Sequence, residues 1–596
     1  MKELEYPFNS EEIIRRKKQF RKQLLKNPGL TPLKIAVLGG ATTNDIVKIM
    51  ELFLLNYGIC PEFYESEYNR YYEDAMFPNP ELEAFKPDII FICTFNRNIT
   101  SYPEIGDTSD VIAGKLENEY TRFENMWKMI ASKYKCTIIQ NNFEYPFFRL
   151  MGNRDASDPR GRVNFITKLN MRFNEYADST ENFYIHDINY ISASYGIEKW
   201  SDPFYWHMYK YALSVPAIPD FSFNVSNIIK SVMGKNKKVL MLDMDNTLWG
   251  GVIGDDGADN IETGQETPIG QTYSEFQSYV KSIGQLGVLL TLNSKNDEET
   301  ALEGLRRDDS VLKPDDFVLK KINWMPKSEN LIDSAKDLSL LPDSFVFVDD
   351  NPAEREIVRA NVPGAAVPEI GDRAEHYINI IDRSGFFEVT NLSKDDMKRN
   401  EMYKVNAKRM ESLKAFTDYG EYLNSLEMKA EIQDFIPAYM SRISQLTNKS
   451  NQFNLTTKRY TQSEIEAVAD NDNYITVYGK LADKFGDNGV VSVVIGHMIG
   501  DECHIDLWIM SCRVLKRDME FAMMDILVEK CLSKNIKSIT GYYYPTAKNA
   551  MVKEFYALQG FEKVFEDEEG NTRWKFELDK DYIKKNKYIH IENSGK

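Results

Sequence analysis

At 596 residues the chain is too long for one hydrophobic core, and its 42% apolar and 28% charged content is that of ordinary globular material. A formal net charge of −18 argues against a nucleic-acid binder, which needs a basic face to displace counterions. A small anionic substrate stays open, because a local site can differ from the global balance. No apolar run is long enough to span a bilayer, and the charged stretch Met1–Asn27 lacks the apolar centre of a signal peptide. A cytoplasmic protein without membrane partners is expected.

The stretch Ser10–Lys26 reads as a charged helix. Beyond it, short apolar runs alternate with amphipathic stretches: Lys34–Leu38 leading into Gly39 and Gly40, then Pro87–Cys93, Cys136–Ile139 and Phe183–Ile188. Such runs between helical segments predict strands of a mostly parallel sheet buried on both faces. The polar stretch Gly234–Lys238 marks a boundary. A second α/β pattern follows, with strands at Val239–Leu242, Val288–Leu292 and Phe345–Val348 and a helix at Tyr273–Leu286. A third region opens near Phe386 with a charged segment, Lys394–Lys404, and carries strands at Val490–Ile495 and His504–Ile509. The expected fold class is α/β, in three α/β domains over residues 1–233, 234–385 and 386–596. Six scattered cysteines without CxxC spacing indicate neither a zinc site nor a disulfide framework.

The chemistry concentrates in the middle region. Val239–Leu242 runs into Asp243, Asp245 and Thr247. Side chains alternate along a strand, so the two acids share a face. Doubly wound sheets gather ligands beyond the carboxyl ends of their strands. Taken alone, Asp-x-Asp-x-Thr also fits a strand end followed by an Asp-Asn turn. Three more elements follow in order: Ser294, Lys295 and Asn296 after a second strand, Lys327 before a helix, and Asp349 with Asp350 after a third strand.

Together these elements resemble the four motifs of the haloacid-dehalogenase (HAD) superfamily. The resemblance implies Asp243 as a carboxylate nucleophile and Asp245 as the acid/base. It implies Ser294, Thr247, Asn296 and Lys327 around the phosphoryl group, Lys327 offsetting transition-state charge. It also implies Mg²⁺ held by Asp243, the Asp245 carbonyl and Asp349, with Asp350 close by. The gaps between motifs, Trp249–Asn293 and Lys295–Pro326, leave no room for a large cap domain, so a flanking region or a partner must exclude water.

The flanking residues narrow the match. Asp243-Met-Asp-Asn-Thr-Leu-Trp-Gly-Gly, Asn293-Ser-Lys-Asn-Asp, Ile322-Asn-Trp-Met-Pro-Lys and Val348-Asp-Asp-Asn-Pro-Ala-Glu-Arg look like the FkbH-like family, a HAD phosphatase subfamily. The likeness continues in Asn448–Thr457, Phe485–Gly489 and Ser511–Val514. It implies removal of phosphate from a phosphorylated three-carbon molecule and transfer of its glyceryl group to an acyl carrier protein. Two alternatives stand beside this: a plain phosphatase on a small phosphoester, and a docking scaffold in a polyketide or surface-polysaccharide pathway.

The ends of the chain resemble two other folds. Asn549–Phe561 looks like the last helix and strand of a GNAT-type acyltransferase. Where relatives of that type read Arg-Val-Met-Gly-Arg-Gly, this chain has Lys516 and Asp518 in the glycine positions. An acid beside a phosphate is repulsive. The loop therefore disfavours free coenzyme A and suits the single phosphate of a carrier's phosphopantetheine arm. Cys512 beside this loop is an acyl-transfer candidate if Arg513 or Arg517 activates its thiol; packing is the commoner role of a lone cysteine. The N-terminal region resembles an SGNH-hydrolase-like three-layer sandwich. No serine follows its first strand, where Thr42 and Thr43 are expected to cap the next helix. Asp202 and His207 are too widely spaced for that superfamily's acid-histidine pair. A non-catalytic docking module is expected there, with His186 a core residue at a strand end.

Overall fold

The structure is a computed structural model that describes residues 1–413, 416–450, 452–546, 548–579 and 581–592. Asn451, within the Asn448–Thr457 motif, lies outside the described residues. The chain divides into two compact units, Met1–Val232 and Met233–Lys596.

The first unit is built on a parallel five-stranded sheet: β1 (Thr31–Gly39), β2 (Ile59–Glu65), β3 (Ile89–Cys93), β4 (Thr137–Asn141) and β5 (Phe183–His186). The spatial order is β2-β1-β3-β4-β5. The four continuous apolar runs form β1, β3, β4 and β5. β2 was not among the expected strands: it is a half-exposed edge strand containing Pro61, which an edge tolerates because its N–H side needs no partner. Helices pack Phe123, Trp127 and Phe173 against one face of the sheet. His186 closes β5 fully buried, its Nδ1 2.8 Å from Asn141 Oδ1.

The threonines after β1 do not act as expected. Thr43 occupies the N-cap of helix Asn44–Asn56 without a side-chain cap bond. Its hydroxyl instead donates to Glu65 Oε2 at 2.9 Å, because the end of β2 lies alongside. Thr42 donates to the Tyr209 carbonyl at 2.7 Å. Asp202 caps the helix Pro203–Tyr209 by accepting from the Phe204 N–H at 2.8 Å.

The second unit contains two sheets. The first has four parallel strands, β6 (Val239–Leu242), β7 (Leu289–Ser294), β8 (Leu319–Ile322) and β9 (Phe345–Val348), in the order β8-β7-β6-β9. Every residue of β6, β7 and β9 is buried, whereas β8, with Lys320 and Lys321, is a half-exposed edge. Between β6 and β7 stand a β-bridge, Gly250–Glu262, a one-turn helix, Ile253–Asp256, and the helix Pro268–Gln285. The last is capped by Thr267, with proline at its first position, where a missing N–H costs nothing.

The helix Arg399–Leu413 joins the two sheets. Asn400 Nδ2 donates to the carbonyls of Gly284 and Val288 at 2.6 and 2.9 Å. Tyr403 packs among Val239, Met241, Phe345 and Phe347, with Cys512 at the rim. The regions expected on either side of Phe386 therefore lie in one compact unit.

The last sheet has eight strands: β10 (Met428–Gln433), β11 (Tyr474–Asp483), β12 (Gly486–Ile499), β13 (Glu502–Met510), β14 (Ser538–Tyr543), β15 (Glu562–Glu566), β16 (Thr572–Glu577) and β17 (Ile589–Ile591). Their order is β15-β16-β14-β13-β12-β11-β10-β17. The strands β10 to β13 form an antiparallel run, and β14 lies parallel to β13, which is the topology of the GNAT-type fold. β13 and β14 pair only over Glu502–His504 and Ser538–Thr540, then diverge. The segment from Phe453 to Leu455 occupies the gap. Met510 N donates to the Phe453 carbonyl at 3.1 Å, Leu455 N to Trp508 at 3.2 Å, and Tyr544 N to the Leu455 carbonyl at 2.9 Å.

Candidate active site

The carboxyl ends of β6, β7 and β9 bring the motif residues together. Asp243 follows β6 and is nearly buried, with its N–H bonded to the Val348 carbonyl at 3.0 Å. Lys327 opens the helix Lys327–Asp337. Its Nζ lies 2.9 Å from Asp243 Oδ2 and 2.6 Å from Asp349 Oδ2. Asp350 stands beside them, accepting from the Thr247 hydroxyl at 3.4 Å. One carboxylate oxygen from each of Asp243, Asp349 and Asp350 can be chosen so that all lie within 4.8 Å of one another.

Three acids thus face one ammonium. Burial pushes the carboxyls of Asp243 and Asp350 above their usual range and, with Asp243 adjacent, lifts Asp349 to about 6. Burial alone would lower Lys327, but Asp243 and Asp349 outweigh it and hold the ammonium above its ordinary value. The all-oxygen donor set and the excess of negative charge fit a hard divalent cation.

Asp245 is turned away from that cluster. Its Oδ1 accepts from Trp249 Nε1 and from the Ile253 N–H, both at 3.0 Å, and its Oδ2 accepts from Asn296 Nδ2 at 3.0 Å. Burial raises its carboxyl above the usual range. Asn296, expected near the phosphoryl group, is therefore engaged with Asp245. Ser294 ends β7 with its side chain buried.

Several residues that shape the site carry no role in the motif reading. Asn293 Nδ2 donates to the Lys327 carbonyl at 2.9 Å, and Asn330 Nδ2 donates to Asn293 Oδ1 at 3.1 Å. Arg355 is buried and donates to the carbonyls of Asp349 and Asp350 at 2.8 and 2.7 Å, fixing the turn after β9. Asn246 takes a left-handed φ of 53°, and its carbonyl accepts from Tyr377 at 3.1 Å. The signals were present: Asn293 and Arg355 stand inside quoted motifs, and asparagine is the commonest non-glycine residue in left-handed turns.

Cys512 lies outside this site, past β13, with its Sγ 3.4 Å from the Tyr403 hydroxyl. Arg517 does not face it. The Arg517 guanidinium pairs with Asp483 at 3.0 Å, because that buried acid also binds Arg409 at 2.7 Å and draws both arginines inward. Lys516 and Asp518 keep left-handed φ values of 63° and 61°, so the loop retains a glycine-like backbone without glycine.

A parallel sheet with nucleophile-type carboxylates and a lysine at its strand ends defines a HAD-type phosphatase domain. The family model described as FkbH, N-terminal domain, matches residues 34–230. The crystal structure of the N-terminal part of the protein BF1531 from Bacteroides fragilis, containing a phosphatase domain complexed with Mg, is 30% identical. It covers 64% of this chain and 100% of that one, with a TM-score of 0.59. The chain belongs to the FkbH family.

The Escherichia coli ribosomal-protein-S18-alanine N-acetyltransferase matches at 10% identity, over 26% of this chain and 99% of that one, with a TM-score of 0.20. Ard1 from Thermoplasma volcanium matches at 18% identity, over 25% and 97%, also with a TM-score of 0.20. No curated protein matches. Among the described residues no helix is long and apolar enough to cross a membrane.

Proposed function

We propose that the chain is a Mg²⁺-dependent phosphoryl-transfer enzyme. In this reading it removes phosphate from a phosphoglyceryl-type substrate and passes the glyceryl group to an acyl carrier protein. The observation that carries the phosphoryl half is the bridge Asp243–Lys327–Asp349, with Asp350 alongside. The carrier's thiol attacks the acyl carbon of the acyl phosphate, forms the thioester and expels that phosphate as the leaving group. Separately, Asp243 attacks the phosphorus of the phosphoester while its bond to the glyceryl oxygen breaks, giving an aspartyl phosphate. Asp245 delivers a proton to the leaving group, then takes one from the water that hydrolyses the intermediate. Its raised carboxyl suits the first of these tasks. Ser294 and Thr247 hold the phosphoryl oxygens, Asn296 holds the Asp245 carboxyl in place, and Lys327 offsets the charge that develops on the phosphoryl group. Asp243, Asp349, Asp350 and the Asp245 carbonyl would hold Mg²⁺. When bound, the ion screens the phosphate so that an anionic nucleophile can approach. The Mg in the BF1531 phosphatase domain supports this choice.

The acyl half is supported by family membership and by the GNAT-type topology of the last sheet. A second reading, a plain phosphatase, is favoured by one observation: Arg517 in the loop expected to meet a carrier's phosphate is committed to Asp483. One assay separates them. The protein is incubated with Mg²⁺, a bisphosphoglycerate bearing an acyl phosphate, and candidate carrier proteins. Phosphate release and carrier mass are then followed. Release of both phosphates with a glyceryl mass gain on the carrier is expected, and Asp243→Asn should slow release of the ester phosphate at least about a thousandfold. Release without mass gain on any carrier leaves the plain phosphatase. Undiminished release by Asp243→Asn overturns the nucleophile.

A further inference from the structure

The second unit encloses a cavity of about 130 Å³ at the opposite end of the four-stranded sheet from Asp243. Lys238, Leu289 and Ser344 line it, and these residues stand at the amino ends of β6, β7 and β9. The other wall is Ser511, Cys512 and Arg513, just past β13. The carboxylate cluster is separated from this cavity by the length of β6, roughly 13 Å for four residues.

The lining is rich in cations. Lys235, Lys238, Arg399, Arg442, Arg513 and Lys548 face two acids, Asp343 and Asp396. Lys548 pairs with Asp343 at 2.5 Å, and Arg399 pairs with Asp396. Among the described residues, no carboxylate lies within ion-pair distance of Lys238 or Arg513. A cation surplus in a partly buried cavity is costly unless an anion joins it.

We propose that this cavity binds a small phosphate monoester, its dianionic head held by Lys238 and Arg513. A guanidinium and an ammonium together match the two charges of a tetrahedral dianion, whereas a single carboxylate would neutralise only one of them. At about 30 Å³ per water the cavity admits roughly four waters, the space that a phosphate head needs. Leu289, Leu340 and Phe453 supply apolar wall for the ester's organic group. Burial together with the neighbouring cations lowers Lys235 to about 8 and also lowers Lys238. The site is independent of the phosphoryl-transfer reading, since it shares no residue with the carboxylate cluster.

The test is calorimetric titration of the full chain with inorganic phosphate and with glycerol phosphate, in EDTA so that the carboxylate cluster carries no metal. Binding is expected in the native chain and in Asp349→Asn. It should weaken about tenfold or more in Lys238→Gln and Arg513→Gln and persist in Lys238→Arg. No binding at millimolar concentration, equal affinity for acetate, or unchanged binding in both glutamine variants would overturn the proposal. A measurement on the native chain needs no variant: glycerol phosphate should slow alkylation of Cys512, followed by peptide mass. An alkylation rate indifferent to the ligand also overturns it.

Discussion

Asn293 gives its side-chain amide to the backbone carbonyl of Lys327 at 2.9 Å, so the residue before Ser294 positions the first turn of the helix that carries the site's lysine. Asn293→Ala removes that tie while leaving Asp243, Asp245, Ser294, Lys327, Asp349 and Asp350 in place. Turnover should fall about ten- to a hundredfold, with KM changing less. Because the effect passes through Lys327, adding Asn293→Ala to Lys327→Ala should cost little more. Full additivity in phosphate-release kinetics would contradict the coupling.

The oxygen donors of Asp243, Asp349 and Asp350 make metal dependence the next expectation. Phosphate release should stop in excess EDTA and return with Mg²⁺ alone, with no need for zinc. Asp350→Asn should raise the Mg²⁺ concentration for half-maximal rate about tenfold or more. A rate that survives EDTA would remove the ion from the reaction.

The first unit should lose stability in acid through His186. Burial lowers this imidazole to about 3, against about 6.5 in an unfolded chain. The unfolded state therefore takes up the proton first. The contribution is full above pH ~6.5 and is lost as pH falls towards the folded value, at up to about 1.4 kcal/mol per pH unit. By pH ~5 the loss is about 2 kcal/mol. Urea unfolding at two pH values checks this: His186→Gln should flatten the difference, and an equal slope in both proteins would count against it.

Gly287 precedes β7 with φ +87°, and a Cβ there would lie 2.1 Å from the Asp396 carbonyl oxygen. Gly287→Ala combines a strained backbone with a collision against main chain. It should destabilise the second unit by on the order of 3 kcal/mol. An unshifted thermal midpoint would show that the Asp396 turn yields freely.

Truncation near Phe386 tests the joining helix. A chain ending there loses Tyr403 from beneath β6 and β9 and loses the Asn400 bonds to Gly284 and Val288. Removing a buried aromatic costs about 3–5 kcal/mol, so this fragment should melt well below one ending after Leu413. Equal melting would mean that the four-stranded sheet is self-sufficient.

Much of the architecture was legible where burial imposes a continuous apolar run, as in β1, β3, β4, β6, β7 and β9. The half-exposed edge strands β2 and β8 were not, because much of their surface meets water: Pro61 interrupts β2, and two lysines occupy β8. β15 is exposed along its whole length, and its Val564–Phe565 pair has neither the alternation nor the run length that marks a strand. In the site, the acids and Lys327 could be read from spacing. The ties that aim them could not, since Asn293–Asn330 and Arg355–Asp349 are ordinary polar pairs until the fold brings them together. Thr43 shows the reverse error, a cap-type residue drawn away by Glu65 on a neighbouring strand.

The segment from Phe453 to Leu455, bonded to Trp508 and Met510 on one side and Tyr544 on the other, acts as a tethered competitor. Any arm with peptide-like amides that enters between β13 and β14 must displace main chain already making those bonds. Covalent attachment gives that main chain an effective concentration in the millimolar range or above. Entry there is an exchange reaction, and its affinity measures how well the newcomer outbids the chain itself.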